Sequence, residues 1–342
     1  MQEPLAFLDG RWVAASAAAV SVSDVGFILG AAVAEQLRTF AGRIFHLDDH
    51  LARLAQSLEI VGIEARMTRE EFAQTARELV ARNHALLAPG DDLALSIFVT
   101  PGDYPSGDRL SADVSPLASG EGREVNGGVS LAGSPHPSPL PEGEGTYVFP
   151  SPTVCLHTYP LPFHRWADRY RTGQALATTD VEQVSPRCWP PSLKCRSRMH
   201  YYLADRQAAA RDSHARALLL DGQGFVTEAS TANVLIYRAG DGLTWPPTAK
   251  VLPGISLAVV AELAGRLGIP CGERDLTPKD VASADEVFLS STPFCLLPVT
   301  RLNGQPIGAG RPGELFARLI AAWNEMAGLD IIAQAERHQV RG

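Results

Sequence analysis

The sequence predicts an α/β protein in two domains, a small α+β domain over residues 1–160 and a larger α/β domain over 161–328, with a tail at 329–342. Three observations carry this. The 342 residues are about two domains' worth at roughly 150 residues each. Strand and helix patterns alternate on both sides of a stretch rich in proline, glycine and serine. The hydrophobic share of 45% beside 20% charged residues is that of an ordinary globular chain.

In the first domain, Leu5-Ala-Phe-Leu and Arg11-Trp-Val flank Asp9-Gly10, a hairpin signal. Gln36-Leu-Arg-Thr-Phe40 and Arg43-Ile-Phe45 repeat it around Ala41-Gly42. A helix opens at Leu47-Asp48, with Leu51, Leu54, Leu58 and Val61 as one buried stripe. Thr68 with Glu71 makes a capping box before a helix running to about Leu86. Asp92 to Thr100 is a strand by composition, stopped by Pro101-Gly102.

Residues 105–145 hold 6 Pro, 8 Gly and 7 Ser, too little apolar content to order themselves. They are expected to be a disordered insert between two strands; the competing reading is a lid or partner-binding loop. Thr153 to Thr158 resumes as a strand, and Pro160-Leu-Pro162 reads as a linker. In the second domain Ala175 to Thr179 is a strand and Met199 to Ala209 an alanine-rich helix. Ala217 to Gly222 and Gly224 to Thr227 form a hairpin, and Asn233 to Tyr237 is a strand. Gly254-Ile-Ser256 precedes a helix with stripe Leu257, Val260, Leu263 and Leu267. Thr277-Pro278 with Asp280 caps another, and Val287 to Thr292 is a strand ending in hydroxyls.

Composition narrows the partners. The net charge is -8, from 38 acids and 30 bases, which disfavours nucleic acid, whose binding rests on clustered Lys and Arg. No run of about 18 apolar residues occurs, so no membrane span is expected. The start lacks the basic flank and apolar stretch of a signal peptide. Five cysteines without a CxxC pair read as reduced thiols of a cytoplasmic enzyme rather than a disulfide framework or metal site. A small-molecule partner is expected.

Several blocks follow one another in order: Gly26-Phe-Ile-Leu-Gly30, Glu35-Gln-Leu-Arg38, Phe45-His-Leu-Asp-Asp-His50-Leu-Ala-Arg53-Leu, Lys194, Glu228-Ala-Ser-Thr-Ala-Asn233, Leu252-Pro-Gly254-Ile-Ser256, Ala284-Asp-Glu-Val-Phe288, then Ser291-Thr292 and Pro298-Val299. This series resembles the class IV aminotransferases, the fold-type IV pyridoxal-phosphate enzymes. They include branched-chain and D-amino-acid aminotransferases and aminodeoxychorismate lyase. The resemblance covers the chain except 105–145 and the tail. It implies pyridoxal 5′-phosphate between two domains, a homodimer, and transfer of an amino group from an amino acid to a 2-oxo acid.

It also implies roles. Lys194 would be the Schiff-base lysine and the carrier of the substrate's Cα proton. Such a lysine must be neutral to attack a carbonyl, and burial beside cations such as Arg196 and Arg198 lowers its proton affinity. Glu228, in a stretch poor in other charge, would pair with the pyridinium nitrogen; the competing reading is a helix or turn cap. Asn233 matches a family asparagine and reads as structural. Ile255 and Ser256 at a helix start, with Thr292 at a strand end, would hold the phosphate. Arg53 would close that cup, its alternative being a solvated helix face.

Departures bear on the substrate. Ala34 stands where members carry Phe or Tyr, which implies a smaller pocket wall. Thr100-Pro101-Gly102 lacks the carboxylate-binding arginine of D-amino-acid enzymes. Pro293 offers no amide, Met199 replaces a tyrosine, and Trp245 and Leu257 replace a threonine and a basic residue. Arg38, Arg196 and Arg198 are the candidates for a substrate carboxylate, each with a salt bridge as its competing role. An L-branched-chain or similar apolar donor is expected. The alternatives are a lyase of the aminodeoxychorismate type and a catalytically degenerate cofactor-binding protein.

Overall fold

The structure, a computed structural model, describes residues 3–104 and 151–338. The expected disordered insert at 105–145 lies outside the described residues.

Two short-loop hairpins start the first sheet. Strands β1 (Leu5–Leu8) and β2 (Arg11–Ala14) turn at Asp9 and Gly10, and β3 (Val33–Phe40) and β4 (Arg43–Ile44) turn at Ala41 and Gly42. All four turn residues have positive φ, the twist that tight hairpins require. With β5 (Leu93–Thr100) and β6 (Thr153–Pro160) they form an antiparallel sheet in the order β2-β1-β6-β5-β3-β4. The one-turn helix α1 (Val25–Ile28) precedes β3; α2 (Leu47–Val61) and α3 (Arg69–His84) cover one face. Leu51, Leu54 and Leu58 pack there against Leu37, Leu95 and Ile97, whereas Val61, expected in that stripe, is exposed at the helix end. The Thr68–Glu71 capping box is formed in both directions.

The second sheet has nine strands: β7 (Gln174–Thr178), β8 (Ala215–Leu220), β9 (Val226–Ala229), β10 (Ala232–Arg238), β11 (Gly242–Trp245), β12 (Cys271–Glu273), β13 (Glu286–Ser291), β14 (Cys295–Leu302) and β15 (Gln305–Pro306). The path runs β12-β11-β10-β13-β14-β7-β8-β9, and β9 also bonds β10, so six strands close into a ring. Pairings are mixed: β7 lies parallel to both β14 and β8, and β10 lies antiparallel to β13. Six helices accompany it: α4 (Arg169–Thr172), α5 (Met199–Arg211), α6 (Ile255–Arg266), α7 (Pro278–Ala282), α8 (Glu314–Ala327) and α9 (Ile331–Glu336). Leu263, Leu319 and Trp323 sit in the core between α6, α8 and the sheet.

Two further sequence readings change. Pro160, read as part of a linker, is the last residue of β6 and pairs with Leu93. The segment read as a tail contains α9, which buries Ile331 and Ala335. Its capping residue Asp330 accepts from Ala333 N at 2.9 Å. A six-residue helix is too short for periodicity to reveal.

Candidate active site

The loop between β7 and α5 carries Lys194 to the edge of the first sheet. Lys194 O accepts from Ala34 N at 3.0 Å and Arg196 N donates to Ala32 O at 2.8 Å. Lys194 N donates to Ser57 Oγ of α2 at 3.2 Å. The lysine backbone is thus sewn onto β3 and α2, and its side chain lines a cleft bordered by α2 and by β9, β10 and β13 of the second sheet. Burial pulls the ammonium down to about 8; Arg53 and Arg198 push the same way, and Glu35 and Glu228 oppose them. A readily deprotonated amine is what attack on an aldehyde requires.

Glu228 lines the same cleft from β9 and is 4% exposed. Tyr201 Oη donates to it at 2.7 Å and Leu252 N at 2.6 Å. Burial nevertheless raises its pKa, so a cation placed against it would be strongly favoured. Burial raises the Tyr201 hydroxyl well above its ordinary value, which keeps it a donor. The sequence reading did not identify Tyr201. It lies 27 residues from its partner and forms no local pattern with it.

Gly254 caps α6 and leads into Ile255 and Ser256, both on the cleft. The first amides of a helix have no intrahelical acceptor and converge on one anion site. Thr292 belongs to the same lining. Asn233 Nδ2 donates to Leu252 O at 2.9 Å, and a Cβ on Gly254 would lie 2.0 Å from Asn233 Oδ1. The close approach of turn and strand therefore depends on glycine. Arg53 reaches the cleft from α2 with each nitrogen engaged. Nε and Nη2 donate to the two oxygens of Glu35 at 2.8 and 2.9 Å, and Nη1 donates to Pro253 O at 2.8 Å. Since Nη1 and Nη2 carry two hydrogens each, one N–H on each remains for an anion.

These residues fit pyridoxal 5′-phosphate on their own chemistry. There is an amine whose charge is disfavoured, a buried carboxylate to which no cation among the described residues is bonded, and a helix start with hydroxyls for a phosphate. Ser290 Oγ, buried in the same lining, has no hydrogen-bond partner among the described residues and can bond to a ligand.

Of the substrate candidates, Arg198 lines the cleft, and its guanidinium makes no hydrogen bond or ion pair among the described residues. It also caps the positive end of α5 beside Lys194, where a cation is unfavourable unless an anion joins it. Arg38 requires correction. It is 1% exposed and donates to Thr39 O, Pro293 O, Cys295 Sγ and Gln334 Oε1, with its guanidinium 4.0 Å from the Phe40 ring centroid. All three of its nitrogens serve the fold, away from the cleft. Ala34 also stays off the cleft lining and contributes its backbone to the lysine loop. Arg196 donates to Ser96 Oγ at 2.6 Å on the first sheet. Met199, at 67% exposure, does not line the cleft, and His200 and Tyr201 do.

Residues 32–142 and 136–302 match the family described as Amino-transferase class IV. The chain is 28% identical over 307 residues to a D-alanine aminotransferase of Bacillus licheniformis, covering 90% of this chain and 91% of the relative. It is also 28% identical over 315 residues to a putative branched-chain-amino-acid aminotransferase of Methanocaldococcus jannaschii, covering 92% and 93%. The fold is shared with a branched-chain amino acid aminotransferase of Escherichia coli, at a TM-score of 0.76 and 22% identity over 96% of this chain and 95% of that one. A similar likeness holds to a T.th. branched-chain amino acid aminotransferase complexed with N-(5'-phosphopyridoxyl)-L-glutamate, at a TM-score of 0.74 and 23% identity over 96% and 95%.

Proposed function

The chain belongs to the class IV aminotransferases, and we propose that it moves an amino group from an apolar L-amino acid to a 2-oxo acid, with Lys194 as the catalytic residue. It is an aminotransferase that works with pyridoxal 5′-phosphate. The observation that supports the residue assignment is the convergence on one cleft of a proton-shedding lysine, a buried carboxylate and an open helix start.

When bound, the cofactor supplies an aldehyde that captures amino groups and a ring that takes up the electrons released at Cα. The protein's part follows from its own groups. Lys194, whose burial favours the neutral amine, takes the proton from the substrate's Cα and returns it. Glu228, oriented by Tyr201 and Leu252 N, holds a proton on the ring nitrogen. Ile255, Ser256 and Thr292 bind the phosphate with Arg53, and Arg198 binds the substrate carboxylate.

Support for the apolar L donor is twofold. Val184, Trp189, Pro191 and Leu193 give the lining an apolar side. The buried Thr100–Gly102 turn brings no cation; Thr100 Oγ1 instead donates to Asp24 at 2.7 Å. Each half-reaction should be read by the change from aldehyde-form to amine-form cofactor absorbance with L-leucine, L-valine, D-alanine and simple amines. Fastest turnover with D-alanine overturns the donor assignment. Pyruvate release from aminodeoxychorismate with no amino transfer from any donor would replace transfer with lyase chemistry. Borohydride reduction of the holoenzyme should fix the cofactor on Lys194, and a label on any other lysine overturns the residue assignment. A homodimer and a cytoplasmic location belong to the same reading. All five cysteines are free, and no helix among the described residues is long and apolar enough to cross a membrane. Light scattering at micromolar concentration should give twice the chain mass of 36.6 kDa.

A further inference from the structure

Glu35 had no role in the reading of the sequence, yet it is the most enclosed acid near the cleft. Its carboxylate is 1% exposed and takes a bidentate contact from Arg53 together with His50 Nδ1 at 2.7 Å. Burial alone would raise such an acid, but the Arg53 and His50 contacts hold it down at about 2. Burial in turn lowers His50, so the ring is neutral at pH 7 and donates to Glu35. The group therefore carries one negative and one positive charge. Arg53 extends it to Pro253 O, the residue before the Gly254 turn, and so ties β3 and α2 to the start of α6.

A buried pair of this kind is a poor way to stabilise a fold. Desolvating both charges offsets most of their attraction, and apolar replacements are often as stable. What the arrangement does provide is a guanidinium fixed in one orientation with its remaining N–H groups free. We propose that Glu35 is a positioning residue for the cofactor site: it locks Arg53 against the Pro253–Gly254 turn and supplies the negative charge that Lys194 feels from the β3 side. The proposal rests on the reading of Arg53 as a phosphate contact. The charges facing Lys194 are Glu35 from β3, Arg53 from α2, Arg198 at the start of α5 and Glu228 from β9. Removing Glu35 leaves the two arginines opposed by Glu228 alone.

The test uses the cofactor-free protein, with inorganic phosphate and pyridoxal 5′-phosphate as probes and pH-dependent acylation of Lys194 read by peptide mass spectrometry. In Glu35→Gln the acylation midpoint should fall below the wild-type value by on the order of one pH unit. In Glu35→Asp, which keeps the charge but shortens the reach, the midpoint should stay in place while cofactor affinity weakens about tenfold. Circular dichroism establishes that each variant is folded. If Glu35→Gln does not fold, the aspartate variant decides: wild-type affinity there overturns the proposal. A folded Glu35→Gln with an unmoved midpoint overturns it as well. Arg53→Ala separates the premise from the inference. Unchanged phosphate and cofactor affinity in that variant removes Arg53 from the phosphate site. Weakened affinity there, with wild-type behaviour in both Glu35 variants, removes Glu35 alone.

Discussion

Lys194 is held where its own charge is disfavoured, and that has a consequence for stability. Its folded-state value of about 8 lies below the ordinary 10.5. Between those values the unfolded chain binds more protons, so stability rises with pH through that window, and the penalty is fully present below about pH 8. Lys194→Met should therefore stabilise the cofactor-free protein at pH 7 by about 1–2 kcal/mol, allowing for water in the cleft. The gain should fade towards pH 10.5 in chemical denaturation, and amino transfer should fall by about 10⁴-fold. A variant less stable than wild type at pH 7 contradicts the account. Tyr201 and Leu252 N donate to different oxygens of Glu228, so Glu228→Gln keeps an acceptor for only one of them and loses the charge. Its expected signature is a fall in kcat of about 10²-fold or more with the fold intact, measured by steady-state kinetics. Lys194 and Glu228 were singled out through the ordered blocks that carry the family resemblance, and the two line one cleft. Glu35, His50 and Tyr201 were not assigned roles, because their parts depend on contacts 15 to 27 residues apart.

At the scale of elements, the turn into α6 is the most constrained piece. Gly254 has an ordinary backbone conformation, so backbone strain does not demand glycine; the 2.0 Å approach to Asn233 Oδ1 does. Gly254→Ala must move either the β10 asparagine or the Ile255–Ser256 amides. Cofactor affinity should drop by about tenfold or more, measured by titrating the cofactor-free protein. Thr68→Ala is the matched control: it loses the α3 capping box, should cost about 1 kcal/mol, and should leave cofactor affinity unchanged. Elements like α3 are readable because hairpin turns and caps are local signals. Strand β14 was not readable as one. Pro298 interrupts its apolar run, and proline argues against an interior strand. Here Pro298 faces Phe288, and the parallel pairing to β7 shifts register between Val299 and Arg301, so the ladder does not continue regularly through this stretch. Helix α8 was likewise unassigned although it buries Leu315, Leu319 and Trp323.

The whole molecule is latched at a point remote from the chemistry. Gln334 of α9 accepts from Arg38 Nη2 at 3.0 Å and donates to Asp92 Oδ2 at 2.7 Å. Asp92 also accepts from Thr39 Oγ1, Ala41 N and Gly42 N. Helix α9 thus closes over the β3–β4 turn and the start of β5, joining the helices of the second domain to the first sheet. This arrangement explains why Arg38 misled the sequence reading. An arginine near the cleft in sequence resembles a substrate ligand until residues 255 to 296 positions away take up its donors. Gln334→Ala strips one partner from each of two buried charges and should cost about 2–4 kcal/mol, read by urea denaturation. Its folded fraction should keep wild-type KM, since none of these groups borders the cleft. Arg38→Met sharpens the distinction. As a latch residue, its loss lowers the urea midpoint and leaves KM for the amino donor and the 2-oxo acid unchanged. A carboxylate ligand would instead raise KM for both about tenfold or more with little change in the midpoint. The two outcomes move different observables, so a single variant decides between latching α9 onto the first sheet and holding the substrate.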